Sequence, residues 1–221
     1  NFNENHIIGF GIKNRLEGEI RDEYFNSLAI VDNNLNLINN YNKINLVPFG
    51  EFIPFENIFY KFNVRTITNN IASFSKGSTR EIIEITNNFD KFSFLPLICF
   101  EIIFSGNLTK NFDFDFILNI SEDGWFGQSI GPSQHFTHSI FRAIENGKYI
   151  VRSANNGMAA IINPLGEIEK KIEYGEAGFV DFVERRDVER TIFSKYGNKI
   201  FIILILLYIF LIFSFNRINN E

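Results

Sequence analysis

The only cysteine of the chain, Cys99, stands in "PLICFEIIF" (96–104), inside an apolar run and two residues before Glu101. A lone thiol is either a small buried hydrophobe or a nucleophile. As a nucleophile it must ionise, and a free thiol of pKa about 8.5 is only a few per cent thiolate at neutral pH, so a base or a cation has to stand beside it. Two groups of residues offer one. The first is histidine, present as His6, His135 and His138. His135 and His138 lie three apart in a helical pattern, a spacing that two metal ligands can share. No third ligand accompanies them in metal-site spacing, so they predict helix-face packing or hydrogen bonding and no metal. The second group lies in "YNKINLVPFGEFIPF" (41–55), where Lys43 sits in a polar stretch and Glu51 follows in a Gly-Glu turn. One lysine alone is a solvated surface group; Cys with Lys and Glu is the second arrangement that could activate the thiol.

The elements around these residues decide whether they can meet. "FSFLPLIC" (92–99) reads as a strand and "EIIFSGNLTK" as the start of a helix, running from Ile102 to about Lys110. Cys99 then falls at the bend between them, where a side chain is exposed at the top of a sheet and the amides of Phe100 and Glu101 lack partners. Such amides face developing negative charge, and a helix start favours a thiolate. Further strands are expected over 6–12, 26–32, 81–85, 114–121, 149–155, 158–164 and 178–184, short and rich in Ile, Val and Phe. "NPLGE" (163–167) predicts a hairpin turn. Helices are expected over 55–62 and 133–146, the latter with Phe136, Ile140, Ala143 and Ile144 on one face and Gly147 beyond its end. Strands outnumber helices, which gives an α/β or α+β fold with substantial sheet.

Composition bounds the rest. A chain of 221 residues, 45% hydrophobic with a formal charge of -5, suits one sizeable domain. One cysteine excludes a disulfide scaffold, and a mildly acidic balance without a basic block speaks against a nucleic-acid partner. At the far end Ile200 to Phe215 is an almost unbroken apolar run between Lys199 and Arg217. As a helix that run is about 24 Å long, short of a hydrocarbon core of about 30 Å unless its flanking cations snorkel. A terminal helix apolar on every side predicts a membrane span.

Three stretches resemble one family in order and spacing: "YNKINLVPFGEFIPF", "LICFEIIF" and "NISEDGWFGQSIGPSQHFTHSIFRAIENGKYIVRSANNG". They are similar to the nitrilase-type domain of bacterial apolipoprotein N-acyltransferases, from about residue 6 to the end, with the apolar tail matching that family's last transmembrane helix. The resemblance implies a nitrilase-like α-β-β-α sandwich, incomplete at its N-terminus, over 1–190, a connector over 191–199 and a transmembrane helix over 200–216. It implies that Cys99 takes an acyl chain from a phospholipid as a thioester and passes it to the N-terminal amine of a diacylated apolipoprotein. Lys43 then stabilises the oxyanion, and Glu51 and Glu101 support the site. Chemistry agrees: thioester formation needs a thiolate, a proton acceptor, and a cation with N–H donors where the oxyanion forms, and a lysine between carboxylates stays charged.

The same resemblance places the general-base glutamate in a Pro-Glu segment ahead of the first matching strand. The chain opens "NFNENHIIGFGIKNR", without initiator Met, so it is expected to be part of something longer that carries this base; Glu4, Glu17, Glu19 and Glu23 lie too late to match. Phe100 stands where the family often has tyrosine. "DGWFG" (123–127) follows a strand on the sheet edge expected to hold Cys99, so Trp125 and Phe126, with Phe100, are expected to line an acyl pocket. Arg142, Glu145 and Asn155 fall in scaffold motifs. No cofactor is implied. A charge count of Lys195 and Lys199 against Arg217 puts the domain in the cytoplasm, whereas the resemblance puts it at the bacterial inner membrane, facing the periplasm. Two other functions share parts of this pattern: a carbon–nitrogen hydrolase of small amides or nitriles, and a catalytically dead, membrane-tethered binding module.

Overall fold

The computed structural model describes residues 7–15, 23–32, 34–55, 74–86, 91–106, 108–182 and 188–218, with side chains described between 23 and 215. Strands β1 (Ile7–Arg15), β2 (Tyr24–Val31) and β3 (Leu37–Asn42) form an antiparallel sheet in that order. Six more follow in sequence order across a second sheet: β4 (Ile83–Thr86), β5 (Lys91–Ile98), β6 (Phe116–Glu122), β7 (Tyr149–Asn155), β8 (Ala159–Ile162) and β9 (Ile168–Ile172). The central β5, β6 and β7 are parallel, and the outer pairs are antiparallel.

Period-two alternation makes the layers. Phe94 and Ile98 of β5, with Phe116, Leu118 and Ile120 of β6, point toward the small sheet and meet Leu28, Ile30 and Tyr41 there. The alternate residues Leu95, Leu97, Ile117 and Ile150 point the other way and pack on Phe136 and Ala143 of helix α1 (Gly131–Asn146). The described residues thus stack as small sheet, large sheet and helix. The outer helical layer expected beyond the small sheet is not seen among them, and the helix expected over 55–62 lies, past Phe55, outside the described residues.

Several expected elements take a different form. The helix expected after Cys99 is only a 3-10 turn, Cys99–Ile103. It stops because Arg142 of α1 takes the carbonyls of Ile102 and Ile103, at 3.4 and 2.9 Å, and Gly106 turns at φ +83°. No strand forms over 178–182; Val180 and Phe182 instead pack singly on the inter-sheet core. The hairpin turn at 163–167 does form, with Asn163 N–H donating to Glu167 O at 2.9 Å and Gly166 at φ +85°.

After a short α2 (Ile192–Tyr196) the apolar tail is helical, α3 (Lys199–Ile218), and its side chains from Phe201 to Phe213 are all exposed. Among the described residues no helix is long and apolar enough to cross a membrane. The transmembrane helix expected over 200–216 is therefore not shown; the apolar stretch falls short of a hydrocarbon core for the reason of length given above.

Candidate active site

Cys99 follows the last residue of β5 and holds φ at +49°, a left-handed conformation that costs a non-glycine residue roughly 1–2 kcal/mol. Its side chain is half-buried, with Sγ 4.0 Å from the carbonyl oxygen of Glu122 at the end of the neighbouring parallel strand β6. The strand-to-turn bend expected from the sequence is present, in the strained form that lifts a nucleophile off a sheet edge.

Glu101, fully buried two residues on, holds that turn. Its Oε2 accepts the Ile98 N–H at 2.9 Å, just before Cys99. Its Oε1 accepts the N–H groups of Ile44 and Asn45, both at 3.0 Å, the Tyr41 hydroxyl at 2.8 Å and Arg80 Nη2 at 2.7 Å. One carboxylate therefore ties the Cys99 turn to the two residues that follow Lys43. A buried carboxylate is stable only when paired and hydrogen-bonded, and Arg80 supplies the charge. Burial, and then the charge of Glu101, push the Tyr41 phenol far up, so it stays a neutral donor. For Arg80, burial alone would lower the pKa; Glu101 and Tyr41 overcome it and raise it.

Lys43 comes directly after β3 and is 1% exposed. Its Nζ lies 2.9 Å from each oxygen of Glu51. Glu51 in turn accepts Asn26 Nδ2 at 2.6 Å and the Val47 N–H at 2.8 Å, so its four acceptor positions are filled. Among the described residues Nζ donates to Glu51 alone, which leaves its third proton uncommitted. Such a buried, paired cation is not the solvated surface lysine that one Lys in a polar stretch suggests.

The Lys43 backbone is clamped from both sides: its N–H donates to Asn26 O at 2.8 Å, and its carbonyl accepts from Gly77 N–H at 2.9 Å. Gly77 belongs to a strap, 74–82, that also carries Arg80. A Cβ on Gly77 would lie 2.1 Å from the Asn42 carbonyl oxygen, so only glycine lets the strap close. Gly77→Ala is expected to destabilise the protein by about 1–3 kcal/mol through this overpacking, lowering Tm by roughly 2–4 °C per kcal/mol. A melting curve superimposable on that of the wild type would show that the strap does not bear on β3.

Behind the turn lies a second polar group that the sequence reading did not assemble. His135 of α1 is buried; Nδ1 lies 2.8 Å from Asp123 Oδ1 and Nε2 lies 3.2 Å from the Cys99 carbonyl oxygen. Asp123 also accepts Arg152 Nη2 at 2.7 Å and the Ser121 hydroxyl at 2.6 Å, and Arg152 donates to Asn119 Oδ1. Alternation dictates this: Asn119 and Arg152 stand opposite each other on β6 and β7, on the face turned to α1. Burial alone would push the Asp123 carboxyl up, but the His135 hydrogen bond, the Arg152 charge and the Ser121 hydroxyl hold it below the usual range. A carboxyl depressed in the folded state stabilises above its unfolded pKa of about 3.9 and loses that contribution as pH falls through the folded value. Asp123→Asn is accordingly expected to cost about 3 kcal/mol at neutral pH and to flatten the acid limb of a Tm–pH curve. An unchanged acid limb would remove Asp123 from the stability of this region.

The aromatic residues divide. Phe100 packs edge-on against Phe104, ring centroids 5.3 Å apart, and both line an open, largely apolar groove of about 570 Å³ with Ile44, Leu46, Phe52 and Phe74. Trp125 is 83% exposed, and neither it nor Phe126 is among the described lining residues. The Phe126 ring instead lies 5.4 Å from that of His135. Arg142 and Glu145 pair at 2.6 Å and, with Ser105, fasten α1 to the segment after the turn. Asn155 donates to Glu122. Among the described residues no group of three or more His, Cys, Asp or Glu side chains is placed to hold a metal ion.

The family model for carbon-nitrogen hydrolases matches residues 3–181. Among curated proteins, the apolipoprotein N-acyltransferase of Agrobacterium fabrum is 36% identical over 206 residues, covering 89% of this chain and 38% of its own length. That of Rickettsia prowazekii is 36% identical over 216 residues, covering 94% of this chain and 42% of its own. The chain thus spans about two fifths of these relatives, 38% and 42% of their lengths. In fold it is similar to the crystal structure of Saccharomyces cerevisiae Nit3, a member of branch 10 of the nitrilase superfamily: TM-score 0.52, 17% identity, 77% of this chain and 57% of that one.

Proposed function

The chain belongs to the carbon-nitrogen hydrolase family, and from that premise we propose that it is the catalytic domain of an apolipoprotein N-acyltransferase. Cys99 Sγ attacks the ester carbonyl of a phospholipid, the carbonyl electrons move to oxygen, and collapse expels the lysophospholipid and leaves a thioester. The N-terminal amine of a diacylated apolipoprotein then attacks that thioester, forming an amide and freeing the thiol. Lys43 offers its uncommitted proton to each oxyanion, and Glu51 holds the ammonium in place. Glu51 and Glu101 are saturated with hydrogen bonds, so neither moves protons; that task falls to a third carboxylate, the general-base glutamate that the family resemblance implies.

The observation that carries this reading is the single buried carboxylate of Glu101 joining the Lys43 segment to the Cys99 turn. Two separate sequence motifs become one rigid unit through it. The groove at Phe100 and Phe104 supports a place for the acyl chain, with Trp125 and Phe126 beyond the other side of the turn, where an exposed indole meets the donor or the surrounding lipid. The exposed apolar surface of α3 supports an anchorage at the bacterial inner membrane; the periplasmic side is proposed from the family resemblance alone.

The test uses the full-length protein in detergent, incubated with phospholipid and a synthetic diacylated lipopeptide. The expected product is lipopeptide heavier by one acyl group on its amine, seen by mass spectrometry, with lysophospholipid in equal amount. Release of ammonia from small amides, with no acylated peptide, would instead make this a hydrolase.

A further inference from the structure

The Cys99 carbonyl oxygen lies at the one peptide bond whose orientation decides whether the nucleophile has an amide donor beside it. In a trans peptide the C=O and the N–H point in opposite directions. Whatever holds Cys99 O on one side therefore aims Phe100 N–H to the other. Turnover of that peptide, by rotation about ψ of Cys99 and φ of Phe100, would exchange donor for acceptor at the reacting carbon.

We propose that His135 is a positioning residue that fixes the Cys99–Phe100 peptide: with a proton on each ring nitrogen it donates from Nδ1 to Asp123 and from Nε2 to Cys99 O, so that Phe100 N–H faces the oxyanion. This rests on the reading of Cys99 as the acylated nucleophile. The ring is well suited to be a post. Asp123 grips Nδ1 at 2.8 Å, Arg152 and Ser121 grip Asp123, and the Phe126 ring lies against the imidazole. Gly157 is where the carboxylate finds room: a Cβ there would lie 2.3 Å from Asp123 Oδ2. His135 and Asp123 are respectively 4% and 0% exposed, so water does not compete for either bond. No scaffold role alone requires a ring nitrogen at Cys99 O; Phe136 and Ala143 already bury this helix face.

The experiment separates the two ring nitrogens. In the full-length protein, His135→Asn keeps an amide near the Nδ1 position, beside Asp123, but cannot reach Cys99 O, while His135→Gln places an N–H near Nε2. Both retain a buried polar side chain, and thermal unfolding checks that both fold. Two reactions of Cys99 are followed. Acylation by p-nitrophenyl butyrate, read as the nitrophenolate burst, passes through an oxyanion; alkylation by iodoacetamide needs the thiolate and forms none. Expected is a loss of about thirtyfold or more in the acylation rate for His135→Asn, with His135→Gln within about fivefold of wild type and both variants alkylated at near wild-type rate. Acylation by His135→Asn at the wild-type rate would overturn the proposal. So would equal losses in acylation and alkylation, or a His135→Gln no better than His135→Asn. A burst that persists in Cys99→Ala overturns the nucleophile assignment itself, a failure distinct from these.

Discussion

Cys99→Ala is expected to abolish acyl transfer, a fall on the order of 10⁴-fold or more, while the protein melts within a few degrees of wild type. The two halves of that expectation come from different features. Loss of activity follows because a thioester mechanism has no route without the sulfur, and these 221 residues hold no second cysteine to replace it. Retained stability follows because Cys99 is only half-buried and alanine meets the same φ of +49° with a Cβ no larger than that of cysteine. The turn is held by Glu101 and His135 through backbone groups, and neither uses the thiol. The measurement is a hydroxylamine-sensitive acyl adduct on the full-length protein together with lipopeptide acylation. An alanine variant that still acylates the lipopeptide would make Cys99 a packing residue and leave the site without a nucleophile.

What the sequence disclosed of this site follows from how each residue signals itself. Cys99, Lys43, Glu51 and Glu101 stand in compact motifs, and the bend after a β-rich run placed the thiol correctly at a strand end. Arg80 was invisible, because an arginine in "KGSTREII" is indistinguishable from a solvated one until the strap folds over β3 and brings it to Glu101. Tyr41 was hidden in "LINNYN", whose polar residues mask an edge strand with one buried ring. Arg152 and Asp123 did leave a signal: charges within or directly after apolar strands, "YIVRSAN" and "FILNISED", have to find partners on neighbouring strands. His135 was placed on its helix, and Phe136 and Ala143 are buried as the apolar pattern requires; the buried face also takes in His135, Ser139, Arg142 and Asn146, polar residues that apolar periodicity does not register, while Ile144 is exposed. Trp125 was expected to line a pocket because its loop follows a strand on the sheet edge of Cys99, but the direction of a loop side chain is not set by its place in the chain, and the indole is exposed outside the groove at Phe100.

Lys43→Met is expected to slow thioester formation by on the order of a hundredfold or more, with little change in phospholipid binding, because a charge aimed at an oxyanion acts in the transition state. The difficulty lies in stability. Removing one partner of a buried ion pair costs about 3–5 kcal/mol by stranding the other charge, and Glu51 would be stranded here, so a slow variant could merely be a damaged one. Glu51→Gln added to Lys43→Met removes the stranded charge; the glutamine oxygen still accepts the Val47 N–H, and Asn26 can turn its amide to present its own oxygen to the glutamine nitrogen. The double variant is therefore expected to melt closer to wild type than Lys43→Met does, yet to acylate no faster. Lys43→Arg should rescue poorly, since a planar fork cannot occupy a cavity built for a point charge clamped by both oxygens of Glu51. Single-turnover formation of the Cys99 thioester in the full-length protein decides the matter, with unfolding followed in parallel. If the double variant recovers both stability and rate, Lys43 and Glu51 are a structural pair, and the oxyanion must be met by backbone amides alone.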